Sequence, residues 1–483
     1  MPWHRLDGRL LNSHLDLPAR EDLPVGDAWP AAAKPLPRAE RVPPRSFERP
    51  RRRHLPVRAK FVVALAAASA WLALSAWLAR FWVNDLSAVV GPPLAWMAIC
   101  GIALIPGFMN AFLAASLLLD RRPKSRSLHR WPPLSILIAA FNERESIATT
   151  LDSIARSRYS GPLDVILVDD GSTDGTAAIA ASKRLPWLRV LRQPCNLGKA
   201  AALNRGLGLS RHPLVVTIDA DSRLHPDALQ RLVGRYLSDP PSTRAVAGAI
   251  LVGNSRTNWI TRAQEWDYFN GIAAVKRVQS LYQGTLVAQG AFSIYDRATL
   301  IELGGWPSCV GEDIVLTWSI LDAGWRVGHA EDACCFTRVP ESLPQFIRQR
   351  QRWARGMIEA FDHHPQILFV PRLSTLFIWW NLLFPWLDIA YTLFFLPGLV
   401  LGMLGIYWIA GPMTLFLLPL SLLMNALMFR IESAMFTRQG LHVRRNVSGF
   451  LLYAFAYGAI LQPACVWGYV CEIAKLRKSW GTK

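Results

Sequence analysis

Two blocks of this chain are too apolar to be left in water, and between them lies one too polar to be left in lipid. Phe61 to Val83 and Val89 to Leu119 are each long enough to cross ~30 Å of hydrocarbon at about 1.5 Å per residue. A later block, Leu373 to Phe429, carries no charge except Asp388. It holds enough residues for two helices with a break near Pro397-Gly398 or Gly411-Pro412, and Val447 to about Cys471 is long enough for one more. The expectation is a multi-pass membrane protein of five helices, two in 58–120 and about three in 373–473.

Charge orients them. Arg58 and Lys60 precede the first run, Asp120-Arg121-Arg122 follows the second, and a basic loop spans Arg438 to Arg445. The positive-inside rule makes these points cytoplasmic, so the first two helices form a hairpin. The last span then sends the basic tail, 474–483, outward against the same rule, unless part of Leu373 to Phe395 lies in the interface. Residues 1–57 are rich in Pro and Arg without a sustained period and read as a disordered cytosolic tail. The first apolar run starts too far from Met1 for a signal peptide. The net charge of +18 gathers beside the apolar runs, which suits an anionic membrane surface and argues against a nucleic-acid partner. Seven cysteines without a C-x-x-C pair argue against a zinc site or a disulfide framework.

The polar block, 133–366, reads as an α/β domain inserted between the membrane helices. Pro132-Pro133 marks its edge. Ser135 to Phe141, Val165 to Val168, Leu188 to Leu191 and Leu214 to Asp219 are strand-like runs, and helical patterns at Glu143 to Arg158 and Thr176 to Lys183 alternate with them. Such alternation implies a mostly parallel, Rossmann-like sheet with right-handed crossovers. Ligands in these sheets sit beyond the C-terminal strand ends. Polar clusters fall there: Asn142-Glu143, Asp169-Asp170 and Asp219-Ala220-Asp221. Two carboxylates one residue apart at a strand mouth suit a divalent cation, Mg²⁺ or Mn²⁺, bridging a diphosphate. Taken alone, Asp219 and Asp221 read equally as an Asx-capped loop. Lys199, opening a helix after Gly198, is placed to meet phosphate, although an exposed lysine at a helix start would look the same. Glu312-Asp313 alone reads as a solvated helix start, and Gln349 to Trp353 as an interfacial helix with an anchoring Trp.

In combination these residues resemble the family 2 glycosyltransferases of GT-A fold, specifically the processive membrane synthases. The pieces are Ala140-Phe141-Asn142-Glu143, Val168-Asp169-Asp170-Gly171-Ser172, Gly198-Lys199, Asp219-Ala220-Asp221, Gly311-Glu312-Asp313 and Gln349-x-x-Arg352-Trp353. The nearest likeness is to bacterial poly-β-1,6-N-acetylglucosamine synthases. Chitin-oligosaccharide, hyaluronan and cellulose synthases are more distant. The resemblance implies an inner-membrane enzyme whose cytoplasmic domain polymerises a UDP-sugar donor, with the growing polysaccharide as acceptor, lipids around it and a small accessory membrane subunit as a possible partner. It implies that Asp169 and Asp170 hold the uracil, with Phe141 and Glu143 near the nucleoside. Lys199 would meet the donor phosphates, and Asp219 and Asp221 would bind the metal-diphosphate. Asp313 would be the general base, supported by Glu312. Gln349 and Arg352 would contact the donor diphosphate or the product end, and Trp353 would stack under the acceptor sugar. The pattern departs from the family where Gly311 replaces the usual threonine. The acceptor-side segment Val287-Ala288-Gln289-Gly290-Ala291 departs more and leaves the sugar open.

Overall fold

The computed structural model describes residues 55–121, 130–411, most of 422–437, 441 and 445–476. The reading of residues 1–57 as a tail therefore falls almost wholly outside the described residues, as does most of the basic tail after 474.

Eight strands make one sheet: β1 (Leu134–Ala140), β2 (Leu163–Asp169), β3 (Leu188–Arg192), β4 (Leu214–Ile218), β5 (Arg223–Leu224), β6 (Thr243–Val252), β7 (Phe292–Asp296) and β8 (Arg326–Thr337), in the order β3-β2-β1-β4-β7-β6-β8-β5. The half built from β3, β2, β1 and β4 is parallel, as the alternation of strands and helices requires. Beyond β4 the sheet is mixed: β7 runs antiparallel to both β4 and β6, β8 returns parallel to β6, and β5 pairs antiparallel with β8. β1, β2 and β4 read as nearly unbroken apolar runs because helices cover both their faces, and their side chains are buried almost throughout. Their C-terminal ends lie together and carry Asn142, Asp170 and Asp219.

Asn142 makes the first of those ends. It sits at φ 55°, a left-handed conformation that asparagine tolerates, and so turns β1 sharply toward the next loop. Its Oδ1 accepts from Thr173 N at 3.0 Å, and Ser172 Oγ accepts from its own N–H at 2.9 Å. The Asn142-Glu143 and Gly171-Ser172 turns are thereby sewn into one rim.

Among the described residues four helices are long and apolar enough to cross a membrane: Val57–Val90, Pro92–Leu119, Thr375–Met403 and Val447–Ile473. The first two form the expected hairpin, reversed at Gly91 (φ 84°). The third continues through Pro397-Gly398 and stops at Met403, where Gly405 takes φ 85°. A fifth helix between 404 and 437 falls largely outside the described residues. Asp388 lies within the third of these helices, and Tyr469 on the last of them donates to its Oδ2 at 2.8 Å.

Several surfaces join the domain to the apolar helices, and one of them carries the Gln349 to Trp353 segment. The helix Leu343–His363 packs along Val447–Ile473, and Gly468 permits it: a Cβ there would lie 2.6 Å from Gln351 O. Arg355 Nε meets Glu472 Oε2 at 2.9 Å, and Arg350 Nη2 meets Asp267 Oδ2 at 2.9 Å and the Tyr457 hydroxyl at 2.8 Å. These charges are buried but matched, which makes their geometry costly to change.

Candidate active site

β4 ends at Ile218, and Asp219 and Asp221 follow on the turn. Lys199 Nζ lies 2.7 Å from Asp219 Oδ1 and 3.6 Å from Glu312 Oε1, so one half-buried ammonium ties two acidic signatures together. Burial alone would depress that ammonium, but the charges of Asp219 and Glu312 outweigh it and hold Lys199 well above its ordinary range. The approach needs Gly290, because a Cβ there would stand 2.7 Å from Lys199 Nζ. Burial lifts Glu312 to about 7, Lys199 opposing and Asp313 adding to the rise. Asp313, on the next residue of the Glu312–Asp322 helix, is half-buried and lines the same cavity of about 920 Å³.

A divalent cation fits this corner in one respect and lacks ligands in another. Burial and then the neighbouring carboxylates of Asp219 and Glu143 push Asp221 up to about 7, the signature of acids crowded with too little positive charge. Thr337 Oγ1 donates to Asp221 Oδ1 at 3.3 Å and steadies it. Among the described residues no group of three or more His, Cys, Asp or Glu could hold a metal. Asp219 and Asp221 would hold a cation together with oxygens of a bound phosphate, as hard oxygen-seeking ions permit.

The opposite wall comes from Leu343–His363. Gln349 is buried, among the described residues its Oε1 has no hydrogen-bond partner, and Arg352 lines the same cavity. Trp353 is 39% exposed, with the Arg350 guanidinium 4.2 Å from its ring and the Tyr268 ring 6.3 Å away. Two glycines bring this wall to the base. A Cβ on Gly311 would stand 2.6 Å from Gly356 Cα, so the backbones touch, and Gly311 N donates to Glu359 Oε2 at 2.8 Å.

The structure thus brings Glu143, Lys199, Asp219, Asp221, Glu312, Asp313, Gln349, Arg352 and Trp353 to one cavity. It does not bring Phe141, Asp169 or Asp170 to that wall. Phe141 is exposed on the rim, and Asp169 is fully buried, with Arg192 Nε 3.5 Å from its Oδ2. Asp170 has its carboxylate engaged by Gln193 Nε2 and by the N–H groups of Leu197 and Gly198, all at 2.8 to 2.9 Å. It shapes the turn that presents Lys199. Among the lining residues that the sequence reading did not single out are Lys276 and Asn381, the latter from the apolar helix Thr375–Met403. Neither belongs to a motif in sequence, and only the fold brings it to the cavity.

Residues 135–304 match the family model described as glycosyl transferase family 2. They are a family 2 glycosyl transferase domain. The match ends before Asp313 and Trp353, so those positions rest on geometry and on the motif itself. An N-acetylglucosaminyltransferase of Rhizobium sp. (strain N33) is 32% identical over 239 residues, 47% of this chain and 53% of the relative. A poly-beta-1,6-N-acetyl-D-glucosamine synthase of Staphylococcus aureus (strain COL) is 30% identical over 226 residues, 46% of this chain and 54% of the relative. The chain spans about half the length of the curated relatives it matches. Among solved structures, the mannosyltransferase PcManGT of Pyrobaculum calidifontis, in complex with GDP-Man and Mn2+, aligns at 19% identity with a TM-score of 0.49, over 87% of this chain and 99% of that chain. That likeness is too loose to transfer residue roles.

Proposed function

We propose that this protein is an inverting, processive glycosyltransferase of the inner membrane. It would polymerise UDP-N-acetylglucosamine into a β-linked exopolysaccharide and export the chain, with its catalytic domain in the cytoplasm. The observation that carries this is the single cavity shared by the Asp219-x-Asp221 pair, the Glu312-Asp313 pair and the Gln349 to Trp353 wall. Asn381 extends that cavity to an apolar helix, which supports a product path toward the membrane. The names of the relatives support the N-acetylglucosaminyl group.

In this reading Asp313 removes the proton from an acceptor hydroxyl as its oxygen bonds to the anomeric carbon. The bond from that carbon to the phosphate oxygen breaks, and UDP leaves with the electron pair. One base opposite one leaving group gives inversion without a covalent intermediate. A divalent cation held by Asp219 and Asp221 would neutralise charge on the departing diphosphate. Lys199 adds positive charge on the same side, and the Trp353 indole offers a flat apolar face to a pyranose ring.

The test is incorporation of radiolabel by the purified protein in nanodiscs, with UDP-GlcNAc, UDP-Glc and UDP-GlcA offered separately with Mg²⁺ or Mn²⁺. High-mass product from UDP-GlcNAc alone, cleaved by a β-1,6-hexosaminidase, is the expected result. Chitinase-sensitive product would change the linkage, and short lipid-extractable label would replace the reading with a non-processive transferase. No incorporation from any donor would overturn it.

A further inference from the structure

Lys276 is 6% exposed, yet among the described residues no carboxylate lies within ion-pair distance of its ammonium. One donor is used: Nζ to Val287 O at 2.8 Å. An ammonium carries three donors, and a buried cation that leaves two of them without an acceptor is costly unless something else satisfies them. Its side chain lines the cavity that holds Asp313. Burial pushes the ammonium down to about 7, and Asp313 is the one charge that draws it back.

The position of Lys276 along the cavity gives the arrangement a direction. Tyr268, Ile272 and Lys276 all line it, four residues apart, on a chain that runs as a π-helical turn over Asp267–Ala273 and then as an α-helix from Ala274. A π turn carries more residues per turn than an α-helix, so a four-residue spacing stays close to one face. Tyr268, at one end of this stripe, packs beside Trp353. Lys276, at the other, is in the field of Asp313. Asp219 and Asp221 follow the end of β4, and the Lys199 ammonium lies between Asp219 and Glu312. Gln289, two residues beyond the carbonyl that Lys276 holds, lines the cavity, and among the described residues its buried Oε1 has no hydrogen-bond partner.

We propose that Lys276 belongs to the acceptor-sugar subsite: its free N–H groups donate to a ring substituent oxygen of the sugar stacked on Trp353 and turn the attacking hydroxyl toward Asp313. The ligand class is a pyranose with a hydroxyl or amide oxygen next to the attacking position. This assignment rests on the glycosyltransfer reading and refines its acceptor side. It makes Lys276 a residue for transfer and not for donor binding, because the diphosphate charge is met at Lys199.

The experiment uses the full chain in nanodiscs with Mn²⁺, UDP-GlcNAc and a soluble β-linked GlcNAc oligomer, and separates UDP released by hydrolysis from sugar transferred. Lys276→Met keeps the length and removes the donors, and relieving a buried charge leaves it able to fold. Its expected phenotype is an acceptor KM raised or transfer reduced by about a hundredfold, with the KM for UDP-GlcNAc within about twofold of wild type. Lys276→Ala should regain transfer, saturably, on addition of ethylamine and not of ethanol. Wild-type transfer by Lys276→Met would overturn the assignment, as would a defect confined to the donor KM or a Lys276→Ala defect that ethylamine does not repair. Wild-type protein that transfers nothing would overturn the glycosyltransfer reading itself, and this subsite with it.

Discussion

Gly311 and Gly356 touch backbone to backbone. A Cβ on Gly356 would lie 2.7 Å from Gly311 Cα, and a Cβ on Gly311 would lie 2.8 Å from Gly356 O. No rotamer can relieve such a clash, because neither partner is a side chain. The contact explains why glycine precedes Glu312-Asp313 in this chain, and it sets the distance between the base and the helix that carries Trp353.

Gly356→Ala therefore separates two effects. Alanine is the better helix former by up to about 1 kcal/mol, so propensity alone predicts stabilisation. Overpacking predicts a loss of about 1–3 kcal/mol and a displaced Trp353 wall. A lower midpoint of thermal unfolding in detergent, with sugar transfer falling at least tenfold, is the expected outcome.

Asp313→Asn should leave the cavity's shape and Lys199 in place while removing the proton acceptor. General-base loss costs about 10²–10⁴ in rate. Turnover should drop by that factor, while UDP binding by calorimetry stays within about twofold of wild type. Full synthesis by this variant would reassign the base.

Cation binding should depend on pH through Asp221. In the cation-free protein, burial and the neighbouring acids keep this carboxyl protonated up to about 7. The proton must leave before the oxygen can ligate, so binding competes with it only below that value. Mn²⁺ affinity measured by electron paramagnetic resonance should be flat above about pH 8 and fall about tenfold per unit below about 6. Asp221→Asn should weaken binding and flatten this slope.

Arg350 is the buried tie between the Leu343–His363 helix and the last apolar helix. Arg350→Ala leaves Asp267 buried without its counter-charge, a loss of about 3–5 kcal/mol. Asp267→Asn added to Arg350→Ala should recover part of it. A double-mutant cycle read by thermal unfolding checks both, and strict additivity would show the pair to be uncoupled.

The parallel half of the sheet was legible because β1, β2 and β4 are buried on both faces and end in acid, so composition and chemistry change together at Asn142, Asp170 and Asp219. The mixed half was not. β8 runs twelve residues but carries Glu331-Asp332 where its register against β6 shifts, and the apolar pattern breaks there. The acidic pairs and the Gln349 to Trp353 string were readable because each is a compact motif. Asp170 shows the limit of that method: the motif locates the residue, but the three donors on its carboxylate come from a loop that folds back over it. Lys276 shows the opposite limit. In sequence it is one lysine on an amphipathic helix, and burial against Val287 is a property of the tertiary fold.

Gly468 has a mechanical consequence. It lets the Leu343–His363 helix lie directly on Val447–Ile473, with Arg355 clamped to Glu472 and Arg350 to Tyr457. Once the second helix sits in a bilayer, its tilt answers to hydrocarbon thickness. That tilt reaches Trp353 through rigid packing, with no loop between to absorb it. In a bilayer, a change in the tilt of Val447–Ile473 would therefore change the angle of the Trp353 indole.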